Sequence, residues 1–442
     1  MIVAVIGAGP AGLMVAEVLA EHGFKVQVYE AKPSAGRKFL MAGRGGLNIT
    51  HSEPAEFFVT RYAERVPQMA PMLSAFDATA LRNWVHALHI DTFVGSSGRV
   101  FPAEMKAAPL LRAWMHRLRG QGVQFLMRHR WLGWDAEHAL RFDTPNGEIS
   151  TKPDATILAL GGGSWAKLGS DGAWWPWLKE QGVMLAPLLP SNGGFESKWS
   201  QHFIDKCAGE PLKTAAFWVE TERGAAPALR GECMVTEHGL EGGAIYALSA
   251  ALRTQIIQRG SATLYVDLLP DHSAEKVLEE VSRGRGTRSI SSHLRSRLGI
   301  QGVKAALLRE CLPAEAFNRP EALAAGIKAL PITLHACRPL DEAISTAGGV
   351  MFEGLTPGLM LRSHPGIFVA GEMLDWEAPT GGYLLNGVLA SGRMAGLGVV
   401  TWLKQRSRSK SNEHAESSRT CSTDACRVFD LPRTYSCAGR VE

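Results

Sequence analysis

Three glycines, Gly7, Gly9 and Gly12, stand directly behind the apolar run "IVAVI" (2–6), and a carboxylate, Glu30, closes the next apolar run, "KVQVYE" (25–30). Residues of these types at this spacing can hold a pyrophosphate and a ribose. The first glycine permits a tight turn, the second lets backbone approach the phosphates, and the third lets a helix pack closely on a strand. Pro10 and Ala11 complete that turn, whose free N–H groups and helix dipole favour negative charge. Glu30, eighteen residues beyond Gly12, is placed to accept hydrogen bonds from a ribose 2′-hydroxyl, with Ala31 beside it, and its charge disfavours a 2′-phosphate, hence NADP.

A second group of residues, more than three hundred positions later, decides between NAD and FAD. The strand-like "GIFVA" (366–370) runs into Gly371 and Glu372, a carboxylate at a strand end that can bind polyol hydroxyls. Close behind, Gly381, Gly382, Tyr383 and Leu384 open a helix whose N–H groups can stabilise negative charge near the N1–C2=O side of a reduced flavin. NAD needs no such second site, whereas FAD does. Between the two groups, "DATILAL" (154–160) stops at a glycine turn that adds Ala159 and Gly161 to the expected cofactor contacts.

Other side chains are candidates for the reacting end. Arg37 and Lys38 can pair with phosphate oxygens. In "GRGGLN" (43–48), Gly43, Arg44, Gly45 and Asn48 belong to a loop expected beside the isoalloxazine. The planar fork of Arg44 suits an anionic substrate or a cofactor phosphate, and Asn48 offers a donor and an acceptor near the ring. His51 is a candidate because histidine titrates near neutral pH. Asp375 and Glu377, beside Trp376, are either surface carboxylates or lining of the same pocket. Nucleophile triads and zinc spacings are absent, and "GGGSWAKLGS" lacks the spacing of a nucleoside-triphosphate loop. No metal is expected.

The elements that must position these groups follow from periodicity. Residues 2–6, 10–22 and 25–30 read as a βαβ unit. Helices are expected at 76–89, capped by Asp77, and at 105–120, then a strand at 123–128 and a meander over 131–142 with a turn at "PNG". "PLLP" (187–190) marks a crossing into a different region. From 191 to about 268, "TAAFWVET" and "ATLYVDLL" suggest a small β-rich module, and four helical segments, "AEKVLEEVSR", "SISSHLRSRL", "KAALLREC" and "PEALAAGIKAL", follow over 273–329. After "PITLHA" the chain returns to strand, glycine and helix chemistry.

Composition sets the outer limits. The chain has 442 residues, 45% hydrophobic and 20% charged, with 47 glycines and a net charge of +4, which reads as a globular α/β protein. Seven scattered cysteines without CxxC pairing argue against a disulfide framework. The first strand follows Met1 directly, so no leader is expected, and no run of about 18 apolar residues is read in the sequence. A cytoplasmic location and no membrane are therefore expected. "KQRSRSK" (404–410) opens a basic, Ser-rich stretch read as a disordered tail.

The sequence resembles the BaiN/RdsA family of FAD-dependent oxidoreductases, which includes aminoacetone-oxidase-like proteins. The resemblance runs from Val3 to about Leu403 through "KFLMAGRGGLNITH" (38–51), "LALGGGSWAKLGSDG" (158–172), "GECMVTEHGLEGGAIYALS" (231–249), "TAGGV" (346–350) and "GIFVAGEMLDWEAPTGGYLLNGVLASGRMAG" (366–396). It implies an α/β fold with a discontinuous glutathione-reductase-like FAD-binding domain, an inserted small β-barrel module and a helical insert. The expected division is 1–190, 191–270, 271–330 and 331–403, with 404–442 as the tail. It also implies that "TEHGLEGG" (236–243) approaches the flavin, so that Glu237 or His238 serves as proton donor or base. Family relatives carry a GGGRCN-like loop, whereas Leu47 stands here at the cysteine position, so chemistry by that cysteine is excluded.

The expected activity is hydride transfer between FAD and a small or nucleotide-like substrate, with NAD(P)H visiting the flavin transiently or oxygen in its place. Two alternatives remain: an rRNA-modifying enzyme that reduces uridine and binds RNA through the basic segment 282–298, or a non-catalytic flavin-binding protein.

Overall fold

The β-branched run at the amino terminus becomes the middle of a parallel sheet. In this computed structural model, which describes residues 1–43, 45–221, 224–225 and 227–424, β1 (Ile2–Ile6), α1 (Pro10–Glu21) and β2 (Lys25–Glu30) form the expected βαβ unit. β3 (Gln124–Met127), β4 (Ala155–Leu158) and β5 (Ile367–Val369) join it. The order is β5-β4-β1-β2-β3, every pair parallel. Val3 to Ile6 are at most 1% exposed, as a strand covered on both faces must be. Pro10 occupies the first turn of α1, where its missing N–H costs nothing.

The carboxyl-terminal helix, α2 (Tyr383–Asp424), lies along α1. Its first part, Tyr383–Ser409, is long and apolar enough to cross a membrane, but 61% of its apolar 18-residue segment is buried in the protein, against α1 among others. The basic run at 404–410 continues this helix instead of starting a disordered tail. Lys, Arg and Gln are good helix formers, and extending an existing helix avoids the nucleation cost. The remainder of the expected tail, 425–442, lies outside the described residues.

Residues from Phe195 to Leu334 build a second core. Seven strands pair antiparallel in the order Leu330–Leu334, Ala262–Asp267, Pro211–Thr221, Leu229–Val235, Gly239–Glu241, Phe195–Glu196 and Ala336–Cys337. The first and last strands are successive runs of chain separated by His335, so the sheet is nearly closed. The four expected helices form at Ala274–Ser282, Ile290–Leu298, Gly302–Cys311 and Pro320–Lys328. They send Val277, Leu294, Leu308 and Ile327 into the same core as the sheet, so sheet and helices share one interior. A helix at Ser249–Arg259 interrupts the stretch read as β-rich; its Ala, Leu, Arg and Gln content favours a helix.

The two cores are joined by an antiparallel pair of strands, Leu185–Ser191 and Ser345–Val350. "PLLP" therefore lies inside a connecting strand. The meander forms at Arg130–Trp134, Leu140–Thr144 and Gly147–Thr151.

Candidate functional site

Parallel strands deliver their carboxyl ends to one edge, and there the chemistry-bearing residues meet. Gly7 follows β1, Glu30 ends β2, Ala159 follows β4, and Ala370 to Glu372 follow β5. Gly7 has φ +105°, and a Cβ there would stand 2.2 Å from the Ala159 carbonyl oxygen. A Cβ on Gly12 would stand 2.0 Å from the Gly7 carbonyl oxygen. These two glycines set the spacing of α1, β1 and β4. A Cβ on Gly9, by contrast, meets nothing within 4 Å, and Gly9 faces open space.

That space is a cavity of about 600 Å³. Of the residues expected at the cofactor, Gly7, Gly9, Pro10, Ala11, Glu30, Ala31, Arg37, Lys38, Asn48, Ala159, Gly161, Glu372, Gly381, Gly382 and Leu384 line it. Gly12 and Gly371 lie behind the wall, where a Cβ on Gly371 would stand 2.6 Å from that of Ala11. Gly43 packs against Ala107 and Gly45 also falls outside the lining, which instead takes Gly46 and Leu47 from that loop. Arg44 lies outside the described residues. Tyr383 turns away, stacked on His51 with ring centres 5.3 Å apart, because Gly382, at φ +96° and against the Thr50 backbone, lets the chain turn there.

Two carboxylates are fixed in the cavity wall. Glu30 accepts the Ala8 N–H and the Lys32 N–H, both at 2.9 Å. Burial pushes its pKa above the ordinary 4.5, against the pull of the Lys32 and Ala8 N–H groups. Each ionised carboxylate has about four acceptor positions, so capacity for a ribose hydroxyl remains. Glu372, 8% exposed, binds Lys38 Nζ through both oxygens at 2.9 and 2.6 Å and accepts the Thr346 N–H at 3.0 Å. Lys38 also donates to Ser164 Oγ at 2.8 Å.

The unpartnered polar atoms test what the cavity suits. Arg37 Nε, Asn48 Oδ1, Trp131 Nε1 and Ser170 Oγ are all buried without a hydrogen-bond partner, and all four residues line this cavity. Buried polar groups normally find partners, and a bound ligand with polar atoms would supply them. With glycine backbone at one end and an acid on each side, the residues fit FAD.

The proton-transfer candidates fare differently. Glu237 and His238 sit on the turn between Leu229–Val235 and Gly239–Glu241, largely exposed, 3.3 Å from each other and outside the cavity lining. Glycine serves strand packing in that segment: a Cβ on Gly239 would stand 2.0 Å from the Phe195 carbonyl oxygen. The turn expected to approach the flavin is thus absent from the lining of this cavity. His51 has both ring nitrogens committed, Nδ1 accepting the Glu53 N–H at 3.1 Å and Nε2 lying 3.0 Å from the Ser97 carbonyl. Among the described residues, no cluster of His, Cys, Asp or Glu could hold a metal. Burial pushes the Cys233 thiol up to about 12, too high for thiolate chemistry at neutral pH.

Several lining residues escaped the sequence reading: Tyr29, His129, Trp131, Ser170, Asn192 and Thr380. Ser170 stood within a quoted motif. Trp131 carries no such signal, because the meander brings it in from an element with no motif of its own.

Glycine turns at the carboxyl edge of a parallel sheet, two carboxylates, Glu30 and Glu372, in the wall of one cavity and a helix opening beside it define a Rossmann-like FAD-binding α/β protein. Residues 1–398 match the model of the HI0933-like protein Rossmann domain, and the chain belongs to that family. It is 26% identical over 414 residues to the 3-dehydro-bile acid delta(4,6)-reductase of Clostridium scindens, across 89% of this chain and 98% of that one. Identity to the ribosomal RNA dihydrouridine synthase of Haemophilus influenzae is 22% over 390 residues, across 86% and 93%. The fold is also similar to 3-ketosteroid delta1-dehydrogenase from Sterolibacterium denitrificans, with a TM-score of 0.52 at 11% identity, over 90% of this chain and 99% of that one. The protein is an FAD-dependent oxidoreductase.

Proposed function

We propose that the protein transfers hydride between FAD and a small or nucleotide-like substrate in the cytoplasm, with NAD(P)H or oxygen as a transient second partner. The observation that carries this reading is the set of four unpartnered polar atoms, on Arg37, Asn48, Trp131 and Ser170, whose residues all line one cavity. Gly7 to Ala11 and Arg37 would hold the phosphates, Glu30 the ribose, Glu372 the polyol, and Gly381 to Leu384 with Asn48 the ring. FAD supplies the hydride-accepting and hydride-donating centre when bound; the chain supplies orientation and exclusion of water. No second glycine fingerprint exists for a resident nicotinamide. Both relatives bear names of reductions, a bile acid reductase and a dihydrouridine synthase, which supports reduction of the substrate as the working direction.

Anaerobic titration of the yellow holoprotein with NADH and NADPH, followed at the flavin absorption band, tests the reading. Bleaching by either, and recovery on adding a substrate panel of steroid enones, uridine-containing RNA and oxygen, is expected. A flavin that neither nucleotide reduces and no panel member reoxidises would refute this reading in favour of a flavin-binding protein without catalysis.

A second reading, binding of ribosomal RNA, draws on the inserted helices. Arg285, Arg288 and Arg295 are exposed and form no ion pair among the described residues. The face is less uniformly basic than the sequence suggested, since Glu279 and Glu280 engage Arg283 at 2.7 and 3.4 Å and Glu280 lies 3.8 Å from Arg297. Changing Arg285, Arg288 and Arg295 to Glu should weaken RNA binding and flatten its salt dependence, by roughly one unit of slope for each phosphate the variant no longer neutralises. Unchanged binding would remove this reading.

A further inference from the structure

Behind the loop that carries Glu372 to Gly382 lies a second cavity, of about 580 Å³, between the FAD-binding core and the inserted module. Asp375, Trp376 and Glu377 line it, whereas Glu372 before them and Pro379 to Gly382 after them line the cofactor cavity. The loop is therefore a partition with one cavity on each side. No described residue between 193 and 343 lines the cofactor cavity, so the inserted module reaches the cofactor only through other residues.

The contact it makes is specific. Arg253, on the helix Ser249–Arg259, has a side chain only 8% exposed. Its guanidinium donates to both carboxylate oxygens of Glu377 and to the Pro190 carbonyl, the latter at 2.9 Å. Glu377 also accepts from Ser191 Oγ at 2.6 Å. Alongside, Asn192 is 2% exposed at φ +53°. Its backbone N–H donates to Ser249 Oγ at 3.0 Å, and its side-chain amide donates to Ser345 Oγ at 2.7 Å and to the Ala378 carbonyl at 2.8 Å. Its Oδ1 accepts the Thr380 N–H at 3.1 Å. One buried network thus ties the inserted helix, both connecting strands and residues 377–380 of the cofactor loop.

We propose that Arg253 is a positioning residue for the flavin, acting through Glu377 and the Asn192 network to set the place of Thr380, Gly381 and Gly382 in the cofactor cavity. A buried ion pair contributes little net stability compared with apolar packing but fixes geometry, and this one spans the boundary between the two cores. Its desolvation is offset only in the arrangement that holds Ala378 and Thr380 where they are.

The holoprotein and its Arg253→Met, Arg253→Lys and Glu377→Gln variants distinguish positioning from bulk stabilisation. FAD dissociation is measured by flavin fluorescence quenching, the ring's surroundings by the flavin absorption band, and folding by the melting of each apoprotein. Arg253→Met should raise the FAD dissociation constant roughly tenfold, within the range found for residues that couple through packed networks, and shift the flavin band, with Arg253→Lys in between. If Arg253→Met fails to fold, Glu377→Gln, which keeps the side-chain volume and the Ser191 contact, must show the weaker binding and the shifted band. Wild-type FAD affinity and spectrum in the folded variants, with only the apoprotein melting point lowered, would overturn the proposal.

Discussion

Replacing Lys38 with Met probes how the cofactor cavity is held open before any ligand enters. Lys38 Nζ lies 2.6 and 2.9 Å from the oxygens of Glu372, with side chains 26% and 9% exposed. At such a separation and an effective dielectric of about 20 the gross attraction is about 6 kcal/mol. Desolvation offsets much of it, and the partly exposed lysine is screened by solvent. Removing the cation leaves Glu372 with only the Thr346 N–H, a buried carboxylate without a counter-charge, at a net cost of about 2 kcal/mol. In a protein of this size that lowers the apoprotein melting temperature by roughly 2–4 °C. Circular dichroism melts of the apoprotein measure it, and fluorescence titration should show weaker FAD binding, since a cation lining the cavity is gone. Lys38→Met combined with Glu372→Gln should recover most of the stability, because no unpaired charge remains. The reasoning is refuted if the single variant melts like the parent, or if the double variant loses the sum of the two single losses.

The three fingerprint glycines should separate into two classes. Gly12→Ala forces a Cβ to 2.0 Å from the Gly7 carbonyl oxygen and should cost about 1–3 kcal/mol of apoprotein stability by overpacking, read from denaturant melts. Gly9→Ala, whose Cβ meets nothing within 4 Å, should leave that stability unchanged and weaken only FAD binding. Glu30 predicts a pH effect. Burial holds its folded-state pKa above 4.5, so its contribution to folding stability is full below that value and lost as pH rises through the raised one. Under the proposed role of Glu30 the ionised carboxylate is the better acceptor for a ribose hydroxyl, so FAD retention should fall as pH drops through the same raised value, and Glu30→Gln should abolish that inflection in equilibrium dialysis.

Much of the fold was legible because its signals are local. The run of β-branched residues at 2–6, the proline at the start of α1 and the glutamate ending β2 each act within a few residues, and the four helices over 273–329 were visible from their spacing. Ser249–Arg259 was missed because neighbouring strand-like runs dominated its surroundings, and the helical continuation past Lys404 because a charged stretch has no apolar periodicity. At the site, the glycines and both acids could be read from turn and strand-end chemistry, whereas Trp131 and Asn192 could not.

What the sequence determined alone is a glycine turn at the first strand suited to a dinucleotide and a second, distant carboxylate and glycine pair suited to the same cofactor, since backbone reach and hydrogen-bond type are properties of single residues and their immediate neighbours; that both line one cavity is the structure's contribution. Only the tertiary structure decided which side chains face the ligand. It turned Glu237 and His238 outward, withdrew Tyr383 and Gly371 behind the wall, and joined Arg253 to Glu377 across 124 positions. Such contacts depend on how two cores pack against each other, and no local pattern of residues encodes that.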